Sequence, residues 1–328
     1  MVGSQRKLFK LIGAGVISAL LAFPLKVLAT NLSTELAQAT TTTPTTQTGQ
    51  VDIIQAFVLG IVQGLTEFLP ISSSAHLKVV PVALGWGDPG VAFTAIIQLG
   101  SIVAVLWYFW KDLTQITLGV FKAIRTSDYD SNEFRMGLGI ALGTIPIVFF
   151  GILIKLFIPD FDKSPLRSMA GIASASIVMS LILGIAEKIG QRKRNFDQLD
   201  VKDGILMGLG QAMALIPGVS RSGSTLTAGL FMGLERDTAA RFSFLLGLPA
   251  ITLAGLVELK DVIKEGFGDA GVLPLIVGII SAAVFSYLSI AWLIGFLKTR
   301  STWVFIWYRL AFGALILVAI SAKLLPNI

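Results

Sequence analysis

Cysteine is absent from the 328 residues, and histidine occurs once, at position 76. The first absence excludes disulfides, thiolate chemistry and sulfur-ligated metal. The second excludes a multi-histidine metal centre. Charge is scarce too: 14% of residues are Asp, Glu, Lys or Arg, against about 25% in ordinary soluble domains. Apolar residues take their place, at 54% with 33 glycines besides, and mean hydropathy is +0.79. That is the composition of an integral membrane protein. The net charge of +6 resides in loops between apolar runs, a topology signal rather than a nucleic-acid footprint, so no nucleic-acid partner is expected.

Residues 1–39 read as a unit apart. Arg6, Lys7 and Lys10 precede the apolar run Leu11–Leu25, and small-residue patterns follow at Val27-Leu28-Ala29 and Ala37-Gln38-Ala39. The layout is that of a signal peptide or of an extra N-terminal membrane segment, and the residues do not choose. Residues 40–51, with the tract TTTTPTTQTGQ, form an uncharged low-complexity linker expected to be disordered. A polytopic membrane domain is expected over 52–328.

Spanning a bilayer takes about 20 apolar residues. Six stretches meet that length: 91–110, 136–158, 169–187, 242–258, 272–297 and 303–322. Two regions, 53–86 and 204–234, instead hold a pair of short apolar pieces around a Pro/Ser break. Irregular backbone at membrane depth survives where it is buried in protein or lines a wet cavity, so both read as re-entrant helical hairpins. A shift of 148 residues aligns Gly60 with Gly208, Gln63 with Gln211, Ser72 with Ser220 and Ser74 with Ser222; a shift of 149 aligns Phe93-Thr94 with Phe242-Ser243. One hairpin followed by three spans, twice, predicts an all-α inverted repeat with halves of about 52–187 and 204–322. With that topology the inner loops 111–135, 188–203, 235–241 and 298–302 carry 13 Lys/Arg. The outer loops 159–168 and 259–270, with the tail from 323, carry 5. This is the positive-inside asymmetry.

The chemistry gathers at the two breaks. The first reads GIVQGLTEFLPISSSAHL from Gly60 to Leu77, the second IPGVSRSGST from Ile216 to Thr225. A carboxylate such as Glu67 near a bilayer centre costs on the order of 2.5–3.5 kcal/mol, which points to a task such as holding a metal or moving a proton. Gln63 lies one helical turn before it on the same face. Across the break stand Ser72, Ser73, Ser74 and His76; an imidazole can attack phosphorus or take a serine proton. In the second break Arg221 offers a planar fork for phosphate, with Ser220, Ser222, Ser224 and Thr225 around it. A helix restarting near Gly223 would add backbone N–H donors.

Other polar residues have blander readings. Ser176, Ser180 and Ser281 fit helix packing. Arg309 and Lys155 lie near expected span ends and read as snorkelling. Arg236 and Arg241 mark the inner face, Asp52 and Asp88 cap hairpin edges, and Trp107-Tyr108-Phe109-Trp110 forms an interfacial belt.

With both motifs quoted, the sequence resembles the bacterial undecaprenyl-diphosphatase family, also called the bacitracin-resistance proteins. The resemblance covers nearly all of 52–328, including the FSFLLGLP segment at 242–249. It implies a multi-span enzyme of the bacterial plasma membrane that removes the terminal phosphate of a C55 polyprenyl diphosphate. The carrier lipid returns to peptidoglycan synthesis, and bacitracin competes by sequestering the diphosphate. It further implies a divalent cation, Mg²⁺ or Ca²⁺, and a site open to the outer face. Carried over residue by residue, Glu67, Ser73, His76 and Arg221 would be catalytic. Ser72, Ser220, Arg221, Ser222 and Thr225 would bind phosphate, and Glu67 with Gln63 would hold the metal. Gln63 stands where many members have Glu, and Ala75 where Gly is common. Three nucleophiles stay open: His76, Ser73 or water. A homo-oligomer is also left open. The rival reading is a transporter or flippase for an anionic prenyl-phosphate lipid, since broken helices at mid-depth serve carriers too.

Overall fold

The computed structural model describes residues 51–327 apart from 159–160, 162–163 and 266–270. The leader and all but the last residue of the linker expected at 1–51 lie outside the described residues. Eleven α-helices and no strands occur among the latter. They are α1 (Ile53–Glu67), α2 (Ser73–Ala83), α3 (Gly90–Tyr108), α4 (Trp110–Thr126), α5 (Asn132–Phe157), α6 (Met169–Ile189), α7 (Val201–Ala212), α8 (Arg221–Phe231), α9 (Arg236–Glu265), α10 (Val272–Leu297) and α11 (Trp303–Ser321).

Local chemistry sets the ends of both broken helices. At α1 the Asp52 carboxylate accepts from the Gln55 backbone N–H at 2.8 Å, and the Gln55 side chain returns a bond from Asp52 N. Asp200 and Asp203 build the same reciprocal cap on α7. Pro70 cannot donate a backbone N–H, and α1 stops at Glu67. Beyond α7 a 3₁₀ turn, Met213–Leu215, runs into Pro217-Gly218. Gly218 has φ of 92°, and a Cβ there would lie 2.2 Å from the Ile172 carbonyl oxygen, so both conformation and space demand glycine.

Close backbone contact seats the first arm of each hairpin. On α1, Gly60 and Gly64 face Ser281–Ser286 of α10; on α7, Gly204 and Gly208 lie against Gly139 and Gly143 of α5. Where lipid removes the hydrophobic drive between helices, such small-residue contacts supply the packing. Helix α11 packs on α6, and α3 on α9 and α10. The outer faces of α5 and α6 expose Phe149, Phe150, Ile152, Leu181 and Ile185, as lipid contact requires. Five helices are long and apolar enough to cross a membrane, or six if α3 and α4, bent by 69° at Phe109, count as one span. The chain is thus a multi-pass, all-helical membrane protein.

Three sequence expectations are corrected. The stretch 111–135, read as an inner loop, is mostly helix: all of α4 but its first residue, and the start of α5. Its charges disguised an apolar stripe, with Trp110, Leu118, Phe121 and Ile124 exposed on one side while Ala123 is buried. The span expected at 242–258 belongs to a helix that starts at Arg236. Its charged first turns are neutralised, Arg236 by Glu187 and Arg241 by Asp112, with Arg241 also over the Phe196 ring at 3.8 Å. Arg309 does not snorkel: it is fully buried.

Candidate active site

The two breaks converge on one cavity of about 230 Å³. Its polar wall is Glu67, Ser72, Ser73 and Ser74 from the first hairpin and Ser220 and Arg221 from the second, with Gln98 of α3 beside them. Its apolar wall comes from Ile147 of α5, Ile216, and Ala250, Ile251 and Ala254 of α9. Charged groups therefore meet an apolar surface within one cavity.

Glu67 ends α1 with its side chain 9% exposed. Its Oε2 accepts from Ser73 Oγ at 2.7 Å and from Gln63 Nε2 at 3.1 Å. Gln63 is buried and also donates to Ser101 Oγ, which accepts from Ser286 Oγ. A polar chain from α3 and α10 thereby fixes the carboxylate. Arg221 is the first residue of α8, and its Nη2 stands 3.4 Å from Glu67 Oε1. Its Nη1 reaches the Ser243 carbonyl oxygen at 3.4 Å, and its Cζ lies 5.8 Å from the centroid of the Phe68 ring. Both hydrogen bonds are at the outer limit of useful length, and the buried Nε has no partner among the described residues. An under-satisfied guanidinium at a cavity wall is suited to an anion.

Not every expected residue reaches the cavity. Ser72 and Ser220 do, each just before the next helix at φ 73° and 72°, with Oγ 3.1 Å from Ser74 Oγ and 3.2 Å from Ser222 Oγ respectively. Ser222 turns away and donates to the Leu69 carbonyl at 3.0 Å, linking the hairpins. Thr225 is buried, donates to the Arg221 carbonyl at 2.8 Å and bonds Ser243 Oγ. The second motif thus puts Arg221 and Ser220 on the cavity wall and Ser222 and Thr225 behind it. His76 also lies behind the wall. Its Nδ1 faces the Ser72 carbonyl at 2.7 Å, which can only accept, so Nδ1 carries the proton. In the neutral ring Nε2 then accepts from Tyr308 OH at 2.6 Å, and the ring stacks on Phe312 at 4.3 Å. Neither ring nitrogen faces the cavity in this arrangement.

Several contributors have no site role in the sequence reading: Gln98, Ser101, Ser243, Tyr308 and Arg309, the last read there as snorkelling. For Arg309 a signal existed, since it lies six residues inside the apolar helix that starts at Trp303, about 9 Å along the axis. No group of three or more His, Asp or Glu suited to a metal occurs among the described residues. Gln63, expected with Glu67 as a metal ligand, is buried off the cavity wall with its Nε2 on Glu67 and Ser101, while Glu67, Gln98 and Ser73 on the wall offer one carboxylate and neutral oxygens. That set fits a hard cation shared with substrate phosphate, since Mg²⁺ commonly uses one or two carboxylates, water and phosphate oxygens.

The fold and cavity define a class: intramembrane proteins with an ionic site between two broken helices. Sequence comparison narrows it. The family described as bacitracin resistance protein BacA matches residues 56–315, and the chain belongs to that family. An undecaprenyl-diphosphatase of Trichormus variabilis is 73% identical over 278 residues, 85% of this chain and 87% of the relative. Those of Trichodesmium erythraeum and Synechococcus elongatus are each 63% identical, over 89% and 85% of this chain and 94% and 97% of the relatives.

Proposed function

We propose that this chain hydrolyses undecaprenyl diphosphate to undecaprenyl phosphate and inorganic phosphate, recycling the lipid carrier of peptidoglycan synthesis. The relatives' activity supports the reaction. The observation that carries the site is the meeting of Glu67, Ser73 and Arg221, from two hairpins, beside an apolar wall. The family and relatives favour hydrolysis over lipid carriage alone.

In the proposed mechanism Arg221, with Ser220, holds the terminal phosphate and stabilises charge that grows on its oxygens. Glu67 takes the proton of Ser73 Oγ, whose oxygen attacks the terminal phosphorus. The bridging P–O bond breaks and undecaprenyl phosphate leaves. Glu67 gives that proton to the departing bridging oxygen, then takes one from the water that attacks the phosphoserine and returns it to Ser73 Oγ as inorganic phosphate leaves. Gln63 orients Glu67, and His76, tied to the Ser72 carbonyl, steadies the turn that presents Ser73. A divalent cation held by Glu67 and substrate phosphate would screen the diphosphate charge. The active site would open to the outer face of the bacterial inner membrane, with the halves inserted in opposite directions. The Lys/Arg-rich segment 188–203 between the halves and the positive φ shared by Ser72 and Ser220 support that topology. Bacitracin would compete by binding the diphosphate.

Phosphate release by purified protein in detergent tests this, with Mg²⁺, Ca²⁺ or chelator. Release that needs a cation and drops about 100-fold in Ser73→Ala is expected, with phosphate trapped on Ser73 in wild type. Ser73→Ala above a tenth of wild-type activity would assign the attack to water. No release with any cation, while prenyl phosphate still binds through Arg221, would leave a carrier.

A further inference from the structure

We infer that Arg309 is a positioning residue for the reaction, holding the two broken helices in the register that brings Ser73 and Glu67 to Arg221. The inference rests on the hydrolase reading above. Arg309 lies in α11 and has no solvent exposure. Its guanidinium spends its donors on the breaks: Nη1 donates to the Pro70 carbonyl at 3.2 Å, and Nη2 to the Gly218 and Val219 carbonyls at 2.9 and 3.0 Å. Nε donates to Ser176 Oγ of α6 at 3.2 Å, fixing the fork. Pro70 stands three residues before Ser73, and Gly218 three before Arg221.

The chemistry explains why arginine is needed. A break inside a membrane frees carbonyls that no water satisfies. A planar fork with five donors can serve carbonyls of two chain segments at once, which a lysine ammonium cannot do in one plane. Ser72 and Ser220 sit at positive φ, a conformation that persists where surroundings over-determine it. Arg309 is a surrounding group common to both turns, beside the Ser222-to-Leu69 bond. Gly223 carries the imprint: a Cβ there would lie 2.8 Å from Arg309 Nη1 and 3.2 Å from Ser220 Oγ. The glycine of the second motif leaves room for this arginine.

Placement errors of about 1 Å can cost on the order of 100-fold in rate. Arg309→Met and Arg309→Lys are therefore expected to lower kcat by about 100-fold while KM stays within about threefold, because Arg221 still binds phosphate. Gly223→Ala, which crowds the same nitrogen, should lower kcat about tenfold. Added to Arg309→Lys it should cost nothing more, since the two changes act on one contact. The measurements are kcat and KM for the C55 diphosphate and the melting temperature in detergent, with wild type alongside. Wild-type kcat in Arg309→Lys overturns the inference, as does kcat loss that only tracks a lost folded fraction, or full additivity with Gly223→Ala. If the Arg309 variants do not fold, the kcat-against-KM split of Gly223→Ala alone decides it. Silence in wild type would instead strike the hydrolase reading.

Discussion

Ser72 and Ser220 precede α2 and α8 at nearly the same positive φ, each with a serine two residues on whose hydroxyl meets its own, though only Ser220 caps its helix through its side chain, accepting from Gly223 N. Residues 148 apart then part company. Glu67 stands opposite Leu215, Ser73 opposite Arg221, His76 opposite Ser224 and Ala75 opposite Gly223. The backbone device is shared, while acid and clamp are on different hairpins. Had both been on one helix four residues apart, they would have paired locally. Split as they are, they meet when the hairpins dock, and the ionic site depends on assembly of the whole core. Arg309 and the Ser222-to-Leu69 bond are the cross-ties that make this docking definite.

The largest expected effect removes the asymmetry. Arg221→Ala and Glu67→Gln should each lower phosphate release about 1000-fold, the scale of losing a preorganised charge at the transition state. The same glutamine placed at Leu215, opposite Glu67, should leave release within about twofold. Equal losses at 67 and 215 would show that both hairpins do the same work. A smaller contrast separates His76 from Ser224. His76→Ala should lower kcat about tenfold through loss of its tie to the Ser72 carbonyl, and Ser224→Ala no more than about threefold. A His76→Ala loss matching that of Glu67→Gln would instead bring the imidazole into the chemistry. A third contrast concerns packing. Gly60→Ala puts a Cβ 1.8 Å from Ser281 Oγ, and Gly208→Ala puts one 2.1 Å from the Gly143 carbonyl oxygen. Overpacking of this kind costs about 1–3 kcal/mol. Both should lower the melting temperature in detergent, Gly208→Ala more, because its clashes are all with the Gly143 backbone, whereas at Gly60 one is with the Ser281 hydroxyl, which can rotate, and one with the Gly278 carbonyl oxygen at 2.5 Å.

Much of this was legible in the chain itself. Proline and serine inside apolar runs announced the breaks at Pro70 and Pro217, and an ionisable residue at each announced the cavity. The caps at Asp52 and Asp200 are local devices, and the former was read as such. What escaped depends on contacts distant in sequence. Arg309 meets carbonyls 239 and 91 residues away; its depth in an apolar helix marks it as unusual but does not name those partners. Helix α4 was hidden by Lys111, Asp112, Lys122 and Arg125, although Trp110, Leu118, Phe121 and Ile124 keep helical spacing. Hydroxyls were the hardest, because a serine or threonine can serve a ligand or its own backbone equally well.

Thr225 shows that ambiguity and gives the smallest contrast between the hairpins. The motif suggested a phosphate ligand, while the structure ties its hydroxyl to the Arg221 carbonyl one turn back and to Ser243. Ser243 in turn offers its carbonyl to Arg221 Nη1. Thr225 therefore braces the clamp from behind. Thr225→Val keeps the shape and deletes the hydroxyl, leaving buried acceptors at Ser243 and Arg221 to find other donors. The expected result is a three- to fivefold drop in kcat with KM unchanged, and Thr225→Ser close to wild type. The first hairpin has His76 at nearly the equivalent depth, so both would act as struts of different chemistry. A rise in KM of tenfold or more in Thr225→Val, with kcat kept, would return Thr225 to the phosphate and make the second hairpin a multi-hydroxyl cradle rather than a single braced arginine.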